Sequence, residues 1–277
     1  SDERVRLSFT LPLDDPREPL AATLKARGLY TMAVVDDGYG EFLSPKVGTG
    51  EGFERFQLVD KLPRRRRNDE GAIDLALEAL QARPEGAPFF LWVHLFGPHD
   101  PNHTHRGLKR FGSDLKAKYD HELLFMDQQV GRLLKTLDEV EVREREQGRG
   151  LTVALTSDHG ELFMGRRRYH GVDLHEQSIR VPMIIVGEGW PSGVVSQAPV
   201  SLVDLSPTLL AAADAPAPHP LDGLNLKPLI TKGLNPQRLL FAETWYITPE
   251  GKIVRDYAAA FDGAWKAIYQ RDKQLMT

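Results

Sequence analysis

The chain has 277 residues, of which 41% are hydrophobic and 27% charged, and this ordinary globular composition excludes a disordered or fibrous protein. No apolar run approaches the roughly 18 residues that a membrane-spanning helix needs. The formal net charge of −4 argues against a broad nucleic-acid-binding surface, and the lack of cysteine excludes a disulfide framework, a thiolate metal site and a cysteine nucleophile in these residues.

Helix and strand signals alternate through the first part of the chain. Pro19 and Gly28 bracket a short apolar segment, which predicts a helix because Pro suits the first turn and Gly the position after the last. Residues 31–35 form a short, partly β-branched run that is typical of a buried strand. Asn68 is predicted to cap the next helix, and residues 89–95 are predicted to form a second buried strand.

The central part of the chain continues this alternation. Apolar residues recur at three- and four-residue spacing from Tyr119 to Leu137, which predicts a long helix with one apolar stripe. A charged run at 139–146 follows, and after it comes an apolar strand at 151–157. Residues 183–186 predict another strand, before a further helix that begins at Ser206-Pro207.

These signals predict an α/β fold in which a mainly parallel sheet lies between helices. The C-terminal region differs, because Asp262-Gly263 separates two apolar segments and so predicts a β-hairpin. We therefore expect two domains: an α/β core at residues 1–235 and a small antiparallel subdomain at residues 236–277.

The strand at 151–157 ends on Asp158-His159-Gly160, an unusual ending for a buried strand. Ligands of open α/β sheets bind outside the carboxyl ends of the strands, which is where this sequence delivers a carboxylate and an imidazole. Side chains of both types bind divalent cations, and Gly160 lets the backbone turn freely. The alternative is that Asp158 caps a helix that begins near Gly160, with His159 exposed.

Eight of the nine histidines fall between His94 and His175, around the ends of two successive predicted strands. His99 lies just beyond the strand at 89–95, and His170 precedes Gly171 in a loop. Either histidine is able to contact a substrate anion or move a proton near neutral pH, or is simply a surface residue. His94 is predicted to be a hydrogen-bonded core residue. Three further histidines are predicted to serve packing or to face solvent: His103, His105 and His121.

Four segments in order resemble landmarks of the sulfatase family in the alkaline-phosphatase superfamily: FFLWVHLFGPHDP, LTVALTSDHGELFMG, YHGVDLHEQSIRVPMII and VSLVDLSPTLLAAADAPAPHPLDGLNLKPLI. The resemblance implies an α/β sheet between helices with a smaller C-terminal antiparallel sheet. It also implies that Asp158 and His159 bind the catalytic divalent metal. His99 and His170 match histidines that contact the transferred group or the leaving oxygen.

The sequence departs from the family pattern in its nucleophile. Family members begin with a strand that bears acidic metal ligands, followed by a C/S-x-P-x-R signature that supplies the nucleophile, and neither occurs in these residues. Ser44-Pro45-Lys46 lacks the following arginine, and Asn102 stands where an aromatic residue often follows the proline of the loop that carries His99. The chain opens at Ser1 and its first methionine is Met32, so we expect a fragment without the nucleophile segment that turns over little ester alone.

The resemblance favours Ca²⁺ as the metal, because Ca²⁺ prefers oxygen ligands, while His159 leaves Mn²⁺ or Zn²⁺ open. It implies hydrolysis of a small anionic sulfate ester, with two alternatives: a phosphate or phosphonate ester hydrolase, or a non-catalytic anion- or sugar-binding member of the fold. A third hypothesis, nucleic-acid binding through the arginine runs at 64–67 and 166–168, fits poorly with the net charge. The sequence assigns no oligomeric state and no compartment, although bacterial members of the family are often exported, which favours a periplasmic or extracellular parent protein.

Overall fold

The structure is a computed structural model that describes residues 18–37, 43–99, 102–164, 167–234, 236–247, 253–271 and 273–276. The chain forms two compact units, and the boundary between them lies between Gly150 and Leu151. The first unit carries His99, and the second carries Asp158, His159 and His170.

The first unit is built on a three-stranded parallel sheet in the order β2-β1-β3. Its strands are β1 (Tyr30–Val35), β2 (Arg55–Leu58) and β3 (Phe89–His94). Five of the six residues of β1 are buried, as its apolar, partly β-branched sequence predicts for a central strand. By contrast β3 is only half-buried along its whole length, so the prediction that it is fully buried is wrong.

Three helices accompany this sheet: α1 (Leu20–Ala26), α2 (Asp69–Gln81) and α3 (Leu115–Glu146). Pro19 is the N-cap of α1, and Gly28 follows its last turn with φ of 95°, a left-handed conformation that favours glycine. The side chain of Asn68 accepts a hydrogen bond from the N–H of Gly71 at 3.0 Å, which confirms the predicted cap of α2.

The core of the first unit joins the sheet to its helices. Its buried members are Val34, Val59, Ala72, Leu75 and Ala76. Leu91 of β3 and Leu133 of α3 pack against this cluster, so the apolar stripe predicted for the long helix faces the core.

Helix α3 is longer than predicted, because the charged run at 139–146 continues the helix instead of following it. Glu144 in this run is buried, and its carboxylate pairs with Arg83 at 2.8 Å and with Arg149 at 2.7 Å. The charged end of the helix is therefore fixed by two guanidinium groups within the first unit.

The second unit begins with short strands and helices: β4 (Thr152–Thr156), β5 (Leu162–Met164), β6 (Arg167–Tyr169), α4 (Glu176–Ile179), β7 (Met183–Gly187), α5 (Leu205–Ala212) and α6 (Lys227–Thr231). β4 and β7 pair antiparallel. The segment between them contains a β5–β6 hairpin, which the sequence does not predict, and His170 follows β6 in a loop as predicted. The alternative that Asp158 caps a helix is wrong, since no helix begins near Gly160 among the described residues.

A four-stranded antiparallel sheet in the order β11-β10-β9-β8 completes the second unit. Its strands are β8 (Leu240–Ile247), β9 (Ile253–Asp262), β10 (Trp265–Gln270) and β11 (Leu275–Met276). The predicted hairpin is confirmed, although Asp262 pairs with Trp265 and so lies in the strand rather than in the turn. Gly263 is in the turn with φ of 56°.

The parallel sheet with its helices and the separate C-terminal antiparallel sheet confirm the predicted fold class. The predicted domain boundary at residue 235 falls shortly before β8, inside the second unit, and stays a prediction. Within the described ranges, no helix combines the length and the apolar character needed to cross a membrane.

Candidate functional site

The turn after β4 holds the carboxylate of Asp158 beside the imidazole of His159. Oδ1 of Asp158 accepts a hydrogen bond from the N–H of His159 at 2.9 Å, which orients the carboxylate. Its other oxygen, Oδ2, lies 3.6 Å from Nε2 of His159. The hydroxyl of Ser157 donates to the carbonyl oxygen of His159 at 2.6 Å and closes the turn. The two side chains predicted as metal ligands therefore face each other at the end of the strand.

The hydrogen bonding of His159 determines which of its ring nitrogens is suited to a cation. Nδ1 lies 2.8 Å from the carbonyl oxygen of Gly160, and because a carbonyl only accepts, Nδ1 carries a proton. In the neutral ring the lone pair is then on Nε2, the atom that faces Asp158. Histidines that bind metals ordinarily donate their other N–H to a carbonyl or carboxylate in this way.

These two residues fit part of a divalent-metal site. A carboxylate oxygen and an imidazole lone pair at this separation suit two ligands of one cation. Across the described part of the chain, no group of three or more His, Asp or Glu side chains is arranged to hold a metal ion. The described residues thus supply a pair of donors, and a stable site needs further ligands.

Gly160 is required at this turn by the closeness of the backbone rather than by a left-handed conformation. Its N–H donates to the carbonyl oxygen of Ser178 at 2.8 Å. A Cβ atom at this position would lie 2.0 Å from the carbonyl oxygen of Gln177, which is far inside van der Waals contact. The glycine therefore lets the segment around α4 support the turn that carries Asp158 and His159.

His170 lies against His159 in the same unit. The two imidazole rings stack with centroids 4.3 Å apart and an angle of 17° between their planes. Nδ1 of His170 lies 3.2 Å from Oε1 of Glu161, whose side chain is only 6% exposed. Because the carboxylate accepts, it orients His170 with Nδ1 as the donor. The structure thus brings together three of the four predicted site residues.

The C-terminal sheet supports the segment that follows His170. The hydroxyl of Thr244 in β8 donates to the carbonyl oxygen of Gly171 at 2.6 Å, and Nζ of Lys266 in β10 donates to that of Leu174 at 2.9 Å. Lys266 also pairs with Glu176 at 2.6 Å. The sheet that the sequence predicts as a separate subdomain therefore helps to position the loop that carries His170.

His99 belongs to the first unit, in a loop after β3. Its ring lies against that of Phe96, with centroids 4.4 Å apart. The N–H of Gly97 donates to Oδ1 of the buried Asp69 at 3.1 Å, and the amide of Asn102 donates to the carbonyl oxygen of Pro98 at 3.2 Å. The loop is thus fixed within its unit, and the convergence of His99 with His159 and His170 stays a prediction.

Burial raises the pKa of the Asp69 carboxyl to about 6, although the hydrogen bond from Gly97 acts in the opposite direction. The negative charges of Asp36 and Glu122 add to the rise, and His105 partly opposes it. A carboxyl that titrates near pH 6 therefore supports the loop that carries His99.

The predicted hydrogen bond of His94 is present, since its Nδ1 lies 2.6 Å from the carbonyl oxygen of Asp36, but the residue is half-buried rather than part of the core. The sequence missed Glu161 and Asp69, the buried carboxylates that support the histidine loops. Glu161 follows the Asp-His pair closely and immediately precedes β5, but no spacing pattern indicates that it contacts His170. From the sequence alone, Asp69 is only an acidic residue in the first turn of a predicted helix.

The solved structures of several proteins share this architecture. A phosphonate monoester hydrolase from Silicibacter pomeroyi superposes with a TM-score of 0.72 and 17% identity, covering 95% of this chain and 73% of that one. A protein solved with its substrate D-glucosamine-2-N,6-O-disulfate superposes with a TM-score of 0.71 and 14% identity, covering 96% of this chain and 76% of that one. The chain therefore shares the fold of these two proteins.

The family itself is shown by sequence. The family model for sulfatases matches residues 12–215, and the chain belongs to the sulfatase family, as the four segments predicted. Human arylsulfatase K is 31% identical over 137 residues, which are 50% of this chain and 25% of that protein. The aligned part thus spans about a quarter of this curated relative.

Proposed function

We propose that this chain is part of a metal-dependent hydrolase of sulfate esters. Asp158 and His159 bind a divalent cation, and His170 and His99 face the group that is transferred. The observation that carries the proposal is the pairing of Asp158 Oδ2 with Nε2 of His159 at 3.6 Å, in a ring whose other nitrogen donates to a carbonyl. Sulfatase family membership and the likeness to arylsulfatase K support the reaction type.

The cation that we propose is Ca²⁺, since a sulfatase site combines mostly oxygen ligands, with Mn²⁺ or Zn²⁺ as alternatives because of the imidazole ligand. When bound, such a cation supplies a Lewis acid that stabilises negative charge on the ester oxygens. Asp158 contributes an anionic ligand, and the Ser157 and Gly160 hydrogen bonds keep the pair oriented without reorganisation.

The histidines manage protons and charge around the sulfuryl group. The Glu161 carboxylate fixes His170 with Nδ1 as donor, so this ring is oriented before the substrate arrives. His99 is held in its loop by the contacts of Gly97 and Phe96, and we propose that it contacts the leaving oxygen. A small anionic ester is the substrate class that these groups suit.

The 277 residues contain no cysteine and no C/S-x-P-x-R signature, and so they lack the family's nucleophile. We therefore propose that these residues alone hydrolyse little or no ester. Incubation with an aryl sulfate and Ca²⁺ tests this directly. Metal-dependent turnover that disappears in Asp158→Ala would contradict it.

Cation binding by the purified chain tests the site itself, with Ca²⁺ titrated against Tb³⁺ luminescence. Two protein ligands form a weak site, so we expect a dissociation constant of about 10⁻³ M, at the weak end of protein Ca²⁺ sites. Asp158→Asn removes the anionic ligand and should weaken binding at least about tenfold, which is about 1.4 kcal/mol. Asp222→Asn removes an exposed carboxylate from the same unit and should leave the affinity unchanged. Equal affinities for the two variants would refute the proposed ligands.

A second candidate, a phosphonate ester hydrolase, is favoured by the phosphonate monoester hydrolase among the similar structures. A sulfatase-type parent protein should turn over aryl sulfates faster than phosphonate monoesters in parallel assays. The reverse order would favour this second candidate. Absence of both activities in the parent protein would favour the non-catalytic anion- or sugar-binding alternative.

A further inference from the structure

The loop that follows His99 presents four basic side chains to solvent. His103, Arg106, Lys109 and Arg110 are all exposed. No acidic residue occurs between Asn102 and Ser113 in the sequence. We name residues 103–110 the basic loop; it carries the positive charges of Arg106, Lys109 and Arg110 in a chain whose net charge is negative.

The basic loop is fixed by buried side chains, unlike an ordinary solvated charge run. Glu122, which is 5% exposed in α3, accepts a hydrogen bond from the N–H of His103, and its other oxygen lies 2.7 Å from Nε2 of His105. The ring of His105 stacks on Phe125 with centroids 3.6 Å apart. Two contacts from one buried carboxylate thus define the conformation of the first part of the loop.

His121, also 5% exposed, fixes the second part of the loop. Its Nδ1 donates to the carbonyl oxygen of Lys109 at 2.8 Å, and its Nε2 accepts the N–H of His105 at 3.0 Å. One neutral tautomer satisfies both contacts, with the proton on Nδ1. Two adjacent residues of α3 therefore make four contacts with the backbone and one side chain of an exposed loop.

We propose that the basic loop binds a sulfated carbohydrate chain at sulfate groups other than the one hydrolysed. This inference rests on the proposed function and specifies the hydrolysed ester as one sulfate group of a multiply sulfated chain. Arg106 follows His99 by seven residues, so their Cα atoms are separated by at most about 25 Å even in extended chain, within reach of a ligand a few sugars long. Because the backbone of the basic loop is already fixed, its cations bind such an anion without the entropy cost of ordering a flexible loop.

Phe111 adds a feature that suits sugars rather than phosphates alone. Its ring is 46% exposed, and Nζ of Lys109 lies 5.2 Å from the ring centroid. An exposed aromatic face beside a cation offers apolar contact to a sugar ring while the cation binds its sulfate.

The test measures binding of a fluorescent chondroitin sulfate hexasaccharide to the full 277-residue chain by polarisation, with the desulfated hexasaccharide as the uncharged control. Combining Arg106→Gln, Lys109→Gln and Arg110→Gln should weaken binding about tenfold, since three exposed ionic contacts contribute about 0.5 kcal/mol each. The matched variant combines Arg64→Gln, Arg65→Gln and Arg67→Gln, which remove the same charge elsewhere, and it should change affinity less than about twofold. Equal losses in the two variants, or none in the first, would overturn the proposal.

Glu122→Ala separates preorganisation from charge. It removes a negative charge, so diffuse electrostatics predicts tighter binding, whereas loss of the contacts to His103 and His105 predicts weaker binding. Tighter binding by the folded variant would overturn the proposal; if the variant does not fold, the two triple variants decide. A single-stranded oligonucleotide of equal charge that competes as well as the hexasaccharide would also overturn it. The Ca²⁺ titration of Asp158 is measured separately, so failure of one proposal is distinguishable from failure of the other.

Discussion

Asp69 offers a prediction whose sign depends on pH. The carboxyl is 3% exposed at the start of α2, it accepts the N–H of Gly97, and burial raises its pKa from 3.8 to about 6. Above pH 6 the folded protein must hold this group ionised in a poorly solvated position near Asp36 and Glu122. Asp69→Asn removes that charge and keeps an oxygen that is able to accept the Gly97 hydrogen bond.

The magnitude follows from the linkage between protonation and folding. A pKa raised from 3.8 to about 6 corresponds to about 3 kcal/mol of differential free energy. The folded state binds the proton more tightly, so this stability is present below about pH 4 and is lost as pH rises through about 6. Asp69→Asn should therefore raise the free energy of unfolding by up to about 3 kcal/mol at pH 8 and by little at pH 4.

Urea unfolding between pH 4 and pH 8 measures this difference. Trp92 in β3 reports the first unit when the three tryptophans of the second unit are replaced by Trp190→Phe, Trp245→Phe and Trp265→Phe. The control is Asp74→Asn in the same helix, which breaks partly exposed pairs with arginines and should cost less than about 1 kcal/mol. A difference for Asp69→Asn that is independent of pH, or destabilisation that grows towards pH 8, would refute the assignment of Asp69 as a strained buried acid.

Other variants test the supports of the second unit and of α2. Burial opposes ionisation of Asp204, but hydrogen bonds from Arg238 and from backbone N–H groups outweigh it and lower its pKa, so its stabilisation is present above about pH 4 and lost below it. Asp204→Asn should lower the free energy of unfolding by about 3 kcal/mol at pH 7, measured by thermal or urea unfolding. A decrease below about 1 kcal/mol would contradict a stabilising role for the buried pair of Asp204 and Arg238. Gly160→Ala places a Cβ 2.0 Å from a backbone oxygen and should lower the Ca²⁺ affinity at least about tenfold. The control Gly131→Ala, which has open space around it, should leave the affinity unchanged. Equal affinities of the two variants would contradict the role of this turn in positioning Asp158 and His159. Asn68→Ala should lower the free energy of unfolding by about 1 kcal/mol in the Trp92 assay, because it removes the helix cap. An unchanged free energy would show that this cap does not stabilise α2.

The sequence predicted those elements whose signals are local. The short helix between Pro19 and Gly28, the cap at Asn68, the central strand β1 and the hairpin around Gly263 depend on neighbouring residues, and each is present. The strand before Asp158 was also predictable from its apolar run, although β4 ends at Thr156 and is only partly buried rather than a buried core strand.

The features that the sequence did not predict depend on distant partners. Glu144 extends α3 into a charged run because Arg83, sixty-one residues away, pairs with it. The β5–β6 hairpin consists of three-residue strands, which are held by pairing with each other rather than by β propensity. Glu161 and Asp69 fix histidine loops through side-chain contacts that leave no periodic pattern.

Paramagnetic broadening by Mn²⁺ tests the cation site most directly, since the ion broadens the NMR signals of nearby nuclei when it binds in place of Ca²⁺. In the folded chain, substoichiometric Mn²⁺ should broaden the imidazole signals of His159 and His170 first and leave His219, in an exposed loop, sharp. Asp158→Asn should restore the sharp signals at the same Mn²⁺ concentration. Unbroadened His159, or broadening of His219 to the same extent, would contradict a divalent-metal site at the end of β4.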